Sequence, residues 1–167
     1  MSTDGSELNA TRPPFARTVC ACEACRANCR AVPGHLIPSD VARVGALLFA
    51  AGRVTSPGDV GAWLRASPGA TVGTRRPGGG LRLWRVGTVV PARRADGVCV
   101  FLDPHGLCAI HAASPFGCAY FDVHEPEALA SAKSAWGLSA ILADPAYRTY
   151  RSTLAPNTVF ATGELAF

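Results

Sequence analysis

Residues 20–29 of this 167-residue chain read CACEACRANC, and this stretch holds four of the seven cysteines. The other three lie within residues 99–118, after a gap of 69 residues that contains no cysteine. An odd number of cysteines, in a chain whose first residues do not resemble a secretory signal, argues against a disulfide framework. Two tight clusters instead predict metal ligands, with unligated thiols or redox chemistry as the alternative.

The spacing within the first cluster suits a metal ion. Two residues separate Cys22 from Cys25, a spacing that lets both sulfurs converge on one ion, and Cys29 follows one helical turn later. Thiolates are soft ligands that select zinc or iron–sulfur clusters, and zinc takes four ligands in a tetrahedron. The remaining ligands are expected from Cys99, Cys108 and Cys118, or from Cys20 or a histidine.

The four histidines are weaker candidates than the cysteines. His35 and His124 flank the clusters and are candidate ligands, although a lone histidine is more often a surface or core residue. His111 is expected to pack beside the ligands, and His105 is expected to be exposed in a turn between Pro104 and Gly106.

Several familiar cysteine patterns do not fit. A zinc ribbon needs a second C-x2-C, and none follows residue 29. A c-type haem site needs C-x2-C-H, but residue 26 is arginine. The bacterial ferredoxin run C-x2-C-x2-C-x3-C is matched only in part.

The composition predicts one folded domain. Hydrophobic residues make up 49% of the chain and charged residues 17%, against about 25% charged in a typical domain. The apolar runs are shorter than the roughly 20 residues that span a bilayer. We therefore expect a cytoplasmic protein without a membrane partner, with a flexible leader over residues 1–18 and a single cysteine-cluster domain over residues 19–167.

The formal net charge is only +4. Arginines at 75–76, 82, 85 and 93–94 are the one local enrichment. Because the arginines are otherwise scattered, the sequence does not favour nucleic acid as a partner, and it leaves a protein partner open.

The fold class expected is α+β, a small irregular domain with short helices and a β-hairpin, tied together by a cysteine metal cluster. Ser39 or Asp40 is the predicted N-cap of the first long helix, and the three tryptophans are expected in the core. A strand begins at Leu81, and Asp96-Gly97 predicts a hairpin turn into a second strand. The remaining predictions are a helix over residues 59–65, a loop over 74–80, a second strand over 98–102 and helices over 126–142 and 146–154.

Two segments, residues 22–30 and 99–121, together resemble the YkgJ-type cysteine cluster family, also described as a zinc- or iron-chelating domain. That family's pattern is C-x2-C-G-x-C-C-R, then C-x-F-L with a following G-x-C-x-I-[YH], then R-P-x-x-C-R-x-F. The chain departs from it at Arg26, Asn28, Ser114 and Ala119. The matching residues are Cys22, Cys25, Cys29, Arg30, Cys99, Phe101, Leu102, Gly106, Cys108, Ile110, His111, Pro115, Cys118 and Phe121.

The resemblance implies zinc or iron, the latter including a [4Fe–4S] cluster. It implies that six cysteines hold the metal: Cys22, Cys25, Cys29, Cys99, Cys108 and Cys118. For the cysteine missing at Asn28 two possibilities stay open: Cys20 is the extra ligand, or the site holds one metal ion fewer. Two alternative functions also stay open: an iron–sulfur enzyme related to the flagellin lysine N-methylases, and a zinc-stapled module that binds RNA or protein.

Overall fold

A computed structural model describes residues 12–157, without the side chains of residues 72–75 and 81. The described chain is α+β, with short helices around one antiparallel pair of strands. Its elements are α1 (Glu23–Ala31), α2 (Pro38–Ala50), a 3₁₀ helix (Pro57–Trp63), β1 (Leu64–Arg75), β2 (Leu81–Pro91), a 3₁₀ helix (His111–Ala113), α3 (Phe116–Ala119), α4 (Glu127–Ala143) and α5 (Pro145–Thr153).

Helix α2 begins earlier than predicted. Its N-cap is Ile37 rather than Ser39 or Asp40, because proline is favourable as the first helical residue and Pro38 takes that position. Asp40 lies in the first turn, where one carboxylate oxygen accepts the backbone N–H of Ile37 at 3.0 Å and that of Phe116 at 2.7 Å. This buried carboxylate therefore holds the start of α2 against the start of α3.

The hairpin forms, but with a different partner strand from the one predicted. Strand β2 pairs with β1, which precedes it, in a register from Leu64 opposite Pro91 to Arg75 opposite Leu81. The register is irregular between Ser67 and Ala70, where the strand contains Pro68-Gly69. Gly69 has φ +73°, and a Cβ on it would lie 1.8 Å from the Val86 carbonyl oxygen. Only glycine permits this approach, so the strand continues through it.

The segment predicted as the second strand is folded into tight turns. The turn at Asp96-Gly97 does form, but it is closed by one isolated bridge, between Arg93 and Cys99. The helix predicted over residues 59–65 is the 3₁₀ helix that ends at Trp63, because β1 begins at the next residue.

The core lies between α2, the base of the hairpin and the C-terminal helices. Trp63 stacks on Phe101 at its centre, with ring centroids 5.7 Å apart. Trp136 packs against a smaller buried group around Phe116. Trp84 is 45% exposed, so the expectation that all three tryptophans are in the core was wrong. The largest buried residues of the main core include Leu36, Val44, Leu48, Val60, Leu64, Val89, Val100, Phe101, Ile110 and Ile141.

The C-terminal part confirms the two predicted helices, α4 and α5, to within about one residue at each end. Asp144 separates them and caps α5, where its carboxylate accepts the Tyr147 N–H at 3.0 Å. Within the described residues, no helix is both long and apolar enough to cross a bilayer.

Candidate metal centre

The first cysteine cluster wraps around the start of α1. Cys22 is the N-cap residue, and its sulfur accepts the backbone N–H of Cys25 at 3.5 Å. A sulfur here replaces the serine or aspartate oxygen that usually caps a helix. Cys25 and Cys29 lie on α1 four residues apart, so they share one face of the helix.

Four ligand atoms meet at this end of α1. The sulfurs of Cys20, Cys22 and Cys25 and a ring nitrogen of His124 all lie within 4.8 Å of one another. We call these four residues the first group. Cys22 Sγ is 3.2 Å from His124 Nε2. Sulfur ligands about 2.3 Å from one tetrahedral ion lie roughly 3.7 Å apart, so the group needs only a small contraction to hold zinc.

Asp122 holds the two halves of the first group together. One carboxylate oxygen accepts the Thr18 hydroxyl at 2.9 Å, and the other accepts the His124 backbone N–H at 2.9 Å. The Thr18 hydroxyl oxygen in turn accepts the Cys20 backbone N–H at 3.2 Å. A single carboxylate therefore positions ligands that are more than a hundred residues apart in the chain.

Protonation within the first group follows these hydrogen bonds. The Cys25 backbone N–H and the His124 ring lower the pKa of Cys22 to about 6. The Cys22 thiolate raises the pKa of His124. The pKa of Cys25 is raised to about 11: the Val123 backbone N–H lowers it, but desolvation and the neighbouring Cys20 and Cys22 thiols outweigh that bond. A bound cation would displace the remaining thiol protons, since coordination deprotonates a thiol.

The second cluster is built on a repeated turn that the sequence reading did not identify. Gly97-Val98-Cys99 and Gly106-Leu107-Cys108 are two Gly-x-Cys turns nine residues apart. Both glycines have positive φ, at +81° and +76°. Each cysteine closes its turn by an isolated bridge to the residue six positions earlier.

In both turns, the backbone N–H two residues after the cysteine acts on the sulfur: that of Phe101 lowers the pKa of Cys99 and that of Ile110 lowers the pKa of Cys108, although burial outweighs both. Hydrogen bonds to sulfur are a common feature around coordinated thiolates. These turns present two cysteines in the same local geometry.

Cys29 and Cys118 complete what we call the second group, with Cys99 and Cys108. Cys118 Sγ accepts the Gly34 N–H at 3.1 Å and lies beside Cys29. A hydrogen bond with Cys118 lowers the pKa of Cys29 to about 7. The same bond and burial raise the pKa of Cys118. Burial raises the pKa of Cys99 to about 12 and that of Cys108 to about 11.

The second group is wider than the first. Among the described residues, only the first group brings three or more ligand atoms within 4.8 Å of one another. A cavity of about 230 Å³ lies between the two groups and is lined by members of both, including Cys20, Cys25, Cys29, Cys108 and Cys118.

The structure thus divides the seven predicted cysteines. Cys20, Cys22 and Cys25 lie together, whereas Cys29 lies beside Cys118. His124 joins the first group, although a lone histidine gave no reason to prefer it. The signal in the sequence was its position two residues after Asp122, which orients it. His105 is exposed, as expected.

Fold and site together define an α+β protein with a candidate Cys₃His metal centre. Comparison with protein-family models, with curated proteins and with solved structures found no match to this chain.

Proposed function

We propose that this protein binds zinc at the first group and that the ion holds the N-terminal segment on the loop after α3. The observation that carries the proposal is that four ligand atoms lie within 4.8 Å of one another. Three thiolates and one imidazole are a common ligand set of closed, structural zinc sites. Zinc supplies binding free energy that becomes folding free energy.

We further propose that the second group is a separate four-cysteine metal site. The seven cysteines and His124 then form two sets of four ligands, and Cys20 belongs to the first set. This division is compatible with the ligands that the YkgJ-type resemblance implies. It also accounts for the missing cysteine at Asn28, because each set has four ligands without it.

An iron–sulfur cluster in the second group is the other candidate. Its ligand set consists of cysteines only, the usual ligation of [4Fe–4S] clusters. The wider separation of its sulfurs suits a cluster, which is larger than a single ion. Iron there would favour the enzymatic alternative over a purely structural role.

The test is to purify the full chain without air and to measure zinc, iron and acid-labile sulfide per chain. Two zinc ions and no visible colour are expected, whereas about four iron and four sulfide would replace the second zinc by a cluster. Metal-free protein at full thermal stability would overturn both proposals.

Variants separate the two groups. His124→Gln should remove the first metal ion and leave the second, and Cys99→Ser should do the reverse. His105→Gln is the matched control, because His105 is an exposed histidine in a turn. Unchanged metal content in His124→Gln would exclude the first group as a site.

A further inference from the structure

The outer part of the hairpin extends away from the core. We call residues 70–86 the arginine arm. Residues 82–85 are four consecutive strand residues and all are exposed, as is the turn at 76–80. Because neighbouring strand residues point to opposite faces, both faces of β2 lie in solvent at residues 82–85. An isolated two-stranded ribbon is only marginally stable in water, so a bound partner would stabilise it.

The charge of the arm equals the formal net charge of the whole chain, +4. The arm carries four of the 16 basic residues, and the 12 that remain equal the 12 acidic residues in number. The chain has no acidic residue between Asp59 and Asp96. Arg76 and Arg85 form no ion pair with another described residue. The arm therefore carries four positive charges in a stretch of the sequence that contains no acidic residue.

The hairpin brings together arginines that are separated in the sequence. Arg75 is paired with Leu81 across the ribbon, Thr74 with Arg82 and Thr71 with Arg85. Arg75, Arg76 and Arg82 therefore lie at the turn end of the ribbon, and Arg85 lies further from the turn. The sequence predicts these arginines as a local enrichment, and the pairing of β1 with β2 shows how they are arranged.

An aromatic side chain accompanies the charge. Trp84 is 45% exposed, and the Arg82 guanidinium lies 3.9 Å from the centre of its ring. Arginine forks match phosphate oxygens, and exposed aromatic rings stack on nucleic-acid bases. A positive surface with a stacking ring is the combination that binds single-stranded nucleic acid without sequence preference.

Other partners fit the arm less well. A second copy would place like charges against each other. A membrane would need apolar side chains at the tip, but the turn at 76–80 reads RPGGG. We propose that the arginine arm binds single-stranded nucleic acid, with phosphates at Arg76 and Arg82 and a base on Trp84, which shares a face of β2 with Arg82. This binding is independent of the proposed metal sites.

The test is fluorescence anisotropy of the full chain with a labelled 15-nucleotide single-stranded RNA and the equivalent DNA. Binding should weaken steeply between 50 and 200 mM salt, since each neutralised phosphate contributes a slope of about −0.7 on single strands. The double variant Arg76→Gln/Arg82→Gln should lose tenfold or more in affinity and flatten the slope by about 1.4. Arg12→Gln/Arg148→Gln removes the same charge from exposed positions outside the arm and should bind nearly as well as the parent.

Trp84 provides the second measurement. Trp84→Ala should weaken binding by about tenfold, whereas Trp84→Phe keeps a stacking ring and should restore most of the affinity. Metal content and circular dichroism check that each variant is folded.

Three results would overturn the proposal. They are no binding at 50 mM salt, equal losses in the arm and control double variants, and tighter binding to vesicles containing phosphatidylserine than to either oligonucleotide.

Discussion

Asp122 shows how one side chain organises the first group. Its two oxygens accept hydrogen bonds from the Thr18 hydroxyl and the His124 backbone N–H. The Thr18 hydroxyl oxygen accepts one from the Cys20 backbone N–H. Neither Thr18 nor Asp122 offers an atom to the group of four ligands. Together they place Cys20 and His124 before any metal is bound.

We expect Asp122→Asn to lower zinc affinity by about 10- to 100-fold, the usual effect of losing a partner that orients metal ligands. The amide oxygen can replace only one of the two acceptors. Competition with a chromophoric chelator measures the affinity. Asp59→Asn, at an exposed carboxylate that caps the first 3₁₀ helix, is the control; equal affinities in the two variants would contradict the role given to Asp122.

At the scale of elements, Tyr147 joins helix α5 to the base of the hairpin. Its hydroxyl donates to the Leu36 carbonyl at 2.6 Å and accepts the Val89 N–H at 2.8 Å. Leu36 and Val89 also pair with each other through the backbone. One buried hydroxyl therefore connects three segments that are distant in the sequence.

Helix α5 offers a matched pair of tyrosines for testing this contact. Tyr147→Phe leaves two buried backbone groups without this partner and should lower the free energy of unfolding by about 1–3 kcal/mol. Tyr150→Phe removes a buried hydroxyl that has no hydrogen-bond partner among the described residues, so its stability should be unchanged or slightly higher. Denaturant unfolding measures both, and equal losses would contradict the assignment.

The elements also show where sequence reasoning succeeds. Helices α2, α4 and α5 were predicted because their start signals and apolar spacing are local. The sequence pairs β2 with the wrong strand because strand pairing depends on contacts across the sheet. Gly69 favours the end of a strand in sequence terms, and only its close approach to Val86 shows that β1 continues through it. The Gly-x-Cys repeat was visible in the sequence, but its two equivalent bridges were not.

For the whole molecule, His35 makes stability depend on pH. Its Nε2 atom is buried without a hydrogen-bond partner among the described residues, and burial lowers the pKa of His35 to about 4. In the unfolded chain the pKa is about 6.5, so protonation favours unfolding. The contribution is complete above pH 6.5 and is lost as the pH falls through 6.5 towards 4.

Between pH 6.5 and pH 4, protonation of His35 should lower the free energy of unfolding of the parent by about 3 kcal/mol. His35→Phe should remove that part of the pH dependence, whereas His105→Gln at an exposed position should retain it. Urea unfolding from pH 7 to pH 4 gives the slope of the free energy of unfolding against pH for the parent and the two variants. Metal release in acid affects all three proteins alike, so the difference between slopes reports on His35, and identical slopes would refute its role.

The two cysteine clusters, the main helices and the α+β class follow from the amino-acid sequence, because these depend on residue type and short-range spacing. Only the folded chain shows which candidate ligands lie together, that His124 meets Cys22 from 102 residues away, and that Arg82 lies opposite Thr74 across the hairpin. These features require distant segments to meet. These segments are held together by hydrogen bonds such as those of Asp40, Tyr147 and Asp122, which no local pattern encodes.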